Sequence, residues 1–269
     1  MLSPITWGKL LKLTGAFNIL LIIFYFLNNT KMSGKDKLIY LFVTMFALSC
    51  SYRSMNPITE SDRKCLYDYK YVLPMYTRSF ATFGEISLII AIVLVINNVL
   101  NHLKNKYNVN SIFYINYILV TIITVANFSC WVSQITQDYM WNVIEESLWG
   151  ITGSVLCIIS IVLYITIKNN NSKKINSIKS MLIILCLVTF IYTTYMIFVD
   201  VPMYYKRSKQ TIKNKKNEFT QGMNTLKQCT VDTTIKEWKE EQIWMSGYFT
   251  LGVWLLFSLF IWNKRFNKL

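Results

Sequence analysis

The chain has 269 residues, 53% of them hydrophobic and 15% aromatic, with a formal net charge of +14, one His and four Pro. Long apolar runs occupy most of it, so no remaining stretch reaches the ~50 residues that a separate soluble domain needs. Zinc-finger spacing and an aromatic nucleic-acid motif are both missing beside the basic residues, so the positive charge argues for anionic lipid headgroups rather than nucleic acid as its partner.

Seven apolar segments follow one another, at roughly 10–27, 38–54, 79–101, 112–134, 141–167, 180–204 and 243–262. Each approaches or exceeds the ~18–20 apolar residues that carry a helix across a bilayer. Hydrocarbon offers the backbone no hydrogen bonds, so a span must be a helix or part of a closed barrel. Barrel strands alternate apolar and polar positions. The run Leu88-Ile89-Ile90-Ala91-Ile92-Val93-Leu94-Val95-Ile96 does not alternate. The expected fold is therefore an all-α integral membrane protein: a bundle of seven transmembrane helices forming one polytopic domain over residues 1–269.

The first segment follows Lys9 and Lys12 and lacks a small-x-small cleavage site before Asn28-Asn29-Thr30, so it reads as a retained helix, not a signal peptide. Counting seven crossings puts the N-terminus and the loops 55–78, 135–140 and 205–242 on one side, here side A. Loops 28–37, 102–111 and 168–179 and the tail 263–269 fall on side B. Side B carries 12 of the 28 Lys and Arg residues but only Asp36 of the 14 acids. Its short loops are almost purely basic, which favours a cytosolic side B, with the N-terminus outside or lumenal and the C-terminus cytosolic. Cys65 and Cys229 both lie on side A, where a disulfide can join two loops if that side is oxidising; free thiols are the alternative. Two glycosylation triplets, Asn28-Asn29-Thr30 and Asn170-Asn171-Ser172, fall on side B, where a cytosolic location would leave them unmodified. The 205–242 loop is basic over 206–216. Over 232–241 it reads as a short interfacial helix, with Lys236, Lys239 and Glu240 on one face and Ile235 and Trp238 on another.

Ionisable groups at membrane depth are costly and mark candidate sites. Glu85 lies deepest, about two turns into the third segment, and shares a face with Arg78 and Thr82 by helical spacing. Arg53 ends the second segment. Asn127, Trp131 and Gln134 share a stripe of the fourth, Glu145 and Glu146 open the fifth, and Asp200 ends the sixth. The expectation is a polar vestibule near side A lined by Glu85, Arg78, Arg53, Asn127, Trp131, Glu145, Glu146 and Asp200, which binds or transports an ion or small molecule. Against it stand a purely structural ion pair at Glu85 and the attraction of Glu145 and Glu146 to a helix N-terminus. Two other functions stay open: a membrane enzyme acting on a lipid or amphipathic substrate, and a structural subunit of a membrane complex with protein partners.

Several chemistries fit poorly. Residues 243–262 hold no lysine for a retinal Schiff base, and one histidine, His102, does not suffice for a bis-His haem or a multi-His metal centre. An all-carboxylate site for Ca²⁺ or Mg²⁺ on side A stays open. Neither a phosphate-binding glycine loop nor a Gly-x-Ser-x-Gly elbow occurs.

Overall fold

A computed structural model describes residues 2–28, 32–59, 62–68, 73–104, 110–167, 172–211 and 219–267. Parts of both glycosylation triplets and residues 212–216 of the basic run lie outside the described residues. The helices are α1 (Pro4–Asn28), α2 (Gly34–Met55), α3 (Pro74–Leu103), α4 (Asn110–Thr136), α5 (Met140–Thr166), α6 (Lys173–Tyr195), α7 (Val201–Thr211), α8 (Phe219–Thr225), α9 (Ile235–Gly247) and α10 (Val253–Phe266). Three two-residue strands accompany them: β1 (Ile58–Thr59), β2 (Lys64–Cys65) and β3 (Thr230–Val231). Seven helical stretches are long and apolar enough to cross a membrane, as the seven apolar runs predict.

Two of these stretches differ from expectation. α6 does not end near Tyr204. It passes through a π-turn, Met196–Asp200, into α7, giving one helix over Lys173–Gln210. Likewise α9 is no separate interfacial helix, because a π-turn at Tyr248–Gly252 joins it to α10. Polar side chains do not break a helix; they only change what it faces. The loop expected over 205–242 therefore shrinks from both ends. Within α9 the expected pairing of Ile235 with Trp238 also fails: Trp238 is fully buried and Ile235 is exposed.

Contacts group the chain into two compact units. The first comprises Met1–Ala91, Gln134–Gln137 and Asn217–Ser258. Here α1 packs along α2, where Gly15 lies against Ser51 and Ser54, and Gly84 of α3 lies against Ser49 of α2. Small residues at such points let helix backbones approach closely. A cap closes one end of this unit. β1 pairs antiparallel with β2, and β2 pairs parallel with β3. A Cys65–Cys229 disulfide spans the cap, with Cα atoms 5.8 Å apart, so the bridged alternative is the one observed. Lys64 Nζ lies 3.5 Å from Asp232 Oδ2. Trp238 donates from Nε1 to the Asp232 carbonyl at 2.8 Å and its ring sits 5.7 Å from that of Trp7. The Leu2 carbonyl accepts from Gln242 Nε2 at 3.0 Å, so the start of α1 lies at the capped end.

The second unit comprises Ile92–Ser133, Asp138–Lys216 and Leu259–Leu269. Its centre is the α5–α6 pair, with Gly153 of α5 against Thr193 and Thr189 of α6. Amides tie its helices together. Asn116 Nδ2 donates to Asn97 Oδ1 at 2.6 Å, and Asn98 Nδ2 donates to Asn263 Oδ1 and Asn267 Oδ1, both at 2.8 Å.

Candidate functional site

The sequence candidates fall into both units. In the first, helical spacing on α3 brings Arg78 and Glu85 to one face, and the last turn of α2 supplies Arg53. Arg53 Nη1 lies 3.5 Å from Glu85 Oε1, and Arg78 Nη2 lies 3.2 Å from Glu85 Oε2. All three are buried, with exposures of 6%, 2% and 7% for Arg53, Arg78 and Glu85. One carboxylate therefore bridges two guanidiniums, one oxygen to each. Removing water strengthens both attractions, while desolvation of three charges opposes them.

Aromatic rings complete this cluster. The Arg53 guanidinium carbon lies 5.6 Å from the Trp244 ring, 5.9 Å from that of Tyr248 and 5.5 Å from that of Phe249. These distances are within cation–π range. Trp244 belongs to α9; Tyr248 and Phe249 open the π-turn between α9 and α10. A π-turn accommodates one extra residue per turn and such turns recur at functional sites. Here it allows two consecutive rings to reach one guanidinium. Its loosened backbone is served by Asn18 of α1, which donates from Nδ2 to the Phe249 carbonyl at 2.8 Å and accepts from Trp254 Nε1 at 3.2 Å. Ser246 Oγ accepts from Trp7 Nε1 at 3.0 Å one turn earlier. The Tyr248 hydroxyl is buried and, among the described residues, has no hydrogen-bond partner.

In the second unit, Ser133 hydrogen-bonds to Asn142 Oδ1, and Asn142 Nδ2 donates to Glu145 Oε2 at 3.1 Å. Glu145 is buried, whereas its neighbour Glu146 is half-buried, as adjacent helical positions on different faces require. Asn127 is buried and turns back on its own helix, donating from Nδ2 to the Ile123 carbonyl at 3.1 Å. Trp131 and Asp200 are half-buried, and Asp200 closes the π-turn Met196–Asp200. Gln134, expected on the stripe of Asn127 and Trp131, belongs to the first unit, where its carbonyl accepts from Arg63 Nη2 at 2.9 Å. Among the described residues no three His, Cys, Asp or Glu side chains gather as metal ligands would.

Sequence reasoning missed six members of these clusters: Tyr248, Trp244, Phe249, Asn18, Ser133 and Asn142. Asn18 carried a usable signal, an amide within an apolar run. The aromatic residues did not, since rings near a span end also serve as interfacial anchors. Comparison with known protein families, curated proteins and solved structures finds no match.

Proposed function

We propose that the chain is a single polytopic domain of seven membrane spans. It binds, and in its working cycle transports, an ion or polar small molecule at the Arg53–Glu85–Arg78 cluster. The observation that carries this reading is three buried charges beside a π-turn whose Tyr248 hydroxyl has no hydrogen-bond partner among the described residues. A purely mechanical lock needs a carboxylate and its counter-ions. It gains nothing from an unsatisfied phenol, which costs about 1–3 kcal/mol when buried. In this reading the disulfide-bonded cap faces an oxidising compartment. The start of α1 lies with the cap, so the N-terminus is outside or lumenal, and an odd number of crossings leaves the basic C-terminus cytosolic. Membrane lipids surround the exposed apolar faces of α1 and α6.

The test is thermal melting of the purified full chain in a maltoside detergent against sodium, potassium and calcium chlorides, potassium phosphate, potassium acetate and glycine. At least one of these should raise the melting temperature of the wild-type chain and fail to raise that of Tyr248→Phe. If none does, the cluster is a structural lock and the binding reading falls.

A further inference from the structure

One pair of reactive side chains takes no part in the clusters already described. Cys157 of α5 and Cys186 of α6 are thiols whose sulfurs lie 3.5 Å apart. We propose that this pair is an oxidation site for hydroperoxides carried in the acyl-chain phase of the membrane, and that it closes to a disulfide joining α5 to α6. The proposal rests on the seven membrane spans and not on ligand binding at Glu85.

Position selects the oxidant. At ~1.5 Å per residue, Cys157 lies about 14 Å from the Thr166 end of α5 and Cys186 about 20 Å from the Lys173 end of α6, near the middle of a ~30 Å hydrocarbon layer. Cys157 is buried, whereas Cys186 is half-buried. Ile183, Leu187 and Phe190, which share the face of Cys186 by helical spacing, are all exposed. Cys186 is therefore reached through acyl chains rather than through water. Hydrocarbon excludes charged oxidants and admits an uncharged hydroperoxide.

The packing suits closure. A disulfide needs sulfurs about 2.05 Å apart and Cα atoms within about 7 Å. One turn from Cys157, Gly153 has no side chain, and a Cβ placed there would lie 3.6 Å from the Thr189 carbonyl oxygen of α6. Thr189 is itself one turn from Cys186. The two backbones run close at this level, as small residues at helix contacts allow, so rotation about the Cα–Cβ bonds brings the sulfurs together. Two steps make the bond. The Cys186 sulfur attacks the terminal oxygen of the hydroperoxide and the O–O bond breaks. The thiol proton goes to the departing alkoxide, which leaves as an alcohol, and Cys186 becomes a sulfenic acid. The Cys157 sulfur then attacks the Cys186 sulfur, the S–O bond breaks, and hydroxide leaves with the Cys157 proton as water. The two thiols lose two electrons, and the peroxide bond takes them.

The test treats the purified full chain, in nanodiscs of saturated phosphatidylcholine, with cumene hydroperoxide. The protein is then denatured, alkylated and peptide-mapped. Peptides carrying Cys157 and Cys186 should be joined, beside the Cys65–Cys229 pair, and free thiols should fall from four to two. The oxidised protein should melt about 5 °C or more above the untreated protein. Oxidised glutathione, charged and water-borne, should leave both thiols free over the same time. Cys157→Ala should stop with one added oxygen on Cys186, and Cys186→Ala should leave Cys157 unoxidised. If either variant fails to fold, the wild-type map decides alone. No joined peptide, a bridge to Cys50 or Cys130 instead, or equal bridging by oxidised glutathione overturns the proposal. So does bridging without a rise in melting temperature, because the bond then forms only in unfolded protein. None of these outcomes touches the melting response to added ions, so the binding reading stands or falls separately.

Discussion

The two units hold their buried polar groups by different means. The first relies on charge and a covalent bond: a carboxylate between two guanidiniums, and a disulfide across a three-stranded cap. The second relies mainly on amides and hydroxyls, in the Asn97–Asn116 and Asn98–Asn263 pairs and the Ser133–Asn142–Glu145 chain. Its Cys130, Cys157 and Cys186 stay as thiols, although Cys157 and Cys186 lie only 3.5 Å apart between sulfurs. Buried charge is an all-or-none device, because removing one partner strands the other. An amide network loses its members one at a time. The first arrangement suits a site that must exist in one geometry; the second suits helices that need only be registered.

This contrast can be broken experimentally. The largest effect should come from Glu85→Gln, which leaves two buried guanidiniums without their shared carboxylate. The expected loss is about 3–5 kcal/mol, read as a lower melting temperature of the purified chain. A melting temperature unchanged by this substitution would remove the charge lock from the comparison. Next is the disulfide. The double substitution Cys65→Ser with Cys229→Ser should cost about 2–4 kcal/mol. Hydrogen exchange should then rise first in residues 58–59, 64–65 and 230–231. Asn98→Ala in the second unit should cost less, about 0.5–2 kcal/mol, as interhelical hydrogen bonds in apolar surroundings do. If it equals Glu85→Gln, the distinction between the units fails.

The smallest effect should be acid sensitivity of the cap. The backbone N–H of Thr234 donates to Asp232 Oδ1 at 2.8 Å. This bond, then the Thr234 side chain and Lys64, holds the Asp232 carboxyl below its usual range. A lowered carboxyl pKa in the folded state stabilises above the unfolded value, and that contribution disappears as pH falls through the folded value. Wild-type protein should therefore lose its advantage over Asp232→Asn on acidification below the ordinary aspartate range. Melting curves of the two proteins across that range should converge; parallel curves would show that Asp232 adds nothing to the cap.

Much of this was legible in the residues. Apolar runs longer than ~18 residues dictate seven helices, because burying that much apolar surface leaves the backbone few other ways to satisfy itself. The i, i+7 spacing of Arg78 and Glu85 already placed them on one face, and the depth of Glu85 already marked it as needing a counter-ion. Local pattern could not separate Glu145 from Glu146, whose burial depends on which helix face meets a neighbour. Nor could it foresee that α6 and α9 run on through π-turns, since a polar composition is compatible with either a loop or a solvated helix. Selection of Arg53 as second partner to Glu85, closure of Cys65 on Cys229 across 164 residues, and convergence of Trp244, Tyr248 and Phe249 on Arg53 were decided by tertiary packing alone. Each joins segments far apart in the chain. Helix formation answers to residues within one turn, whereas these contacts depend on which helices pack side by side, and no local periodicity carries that information.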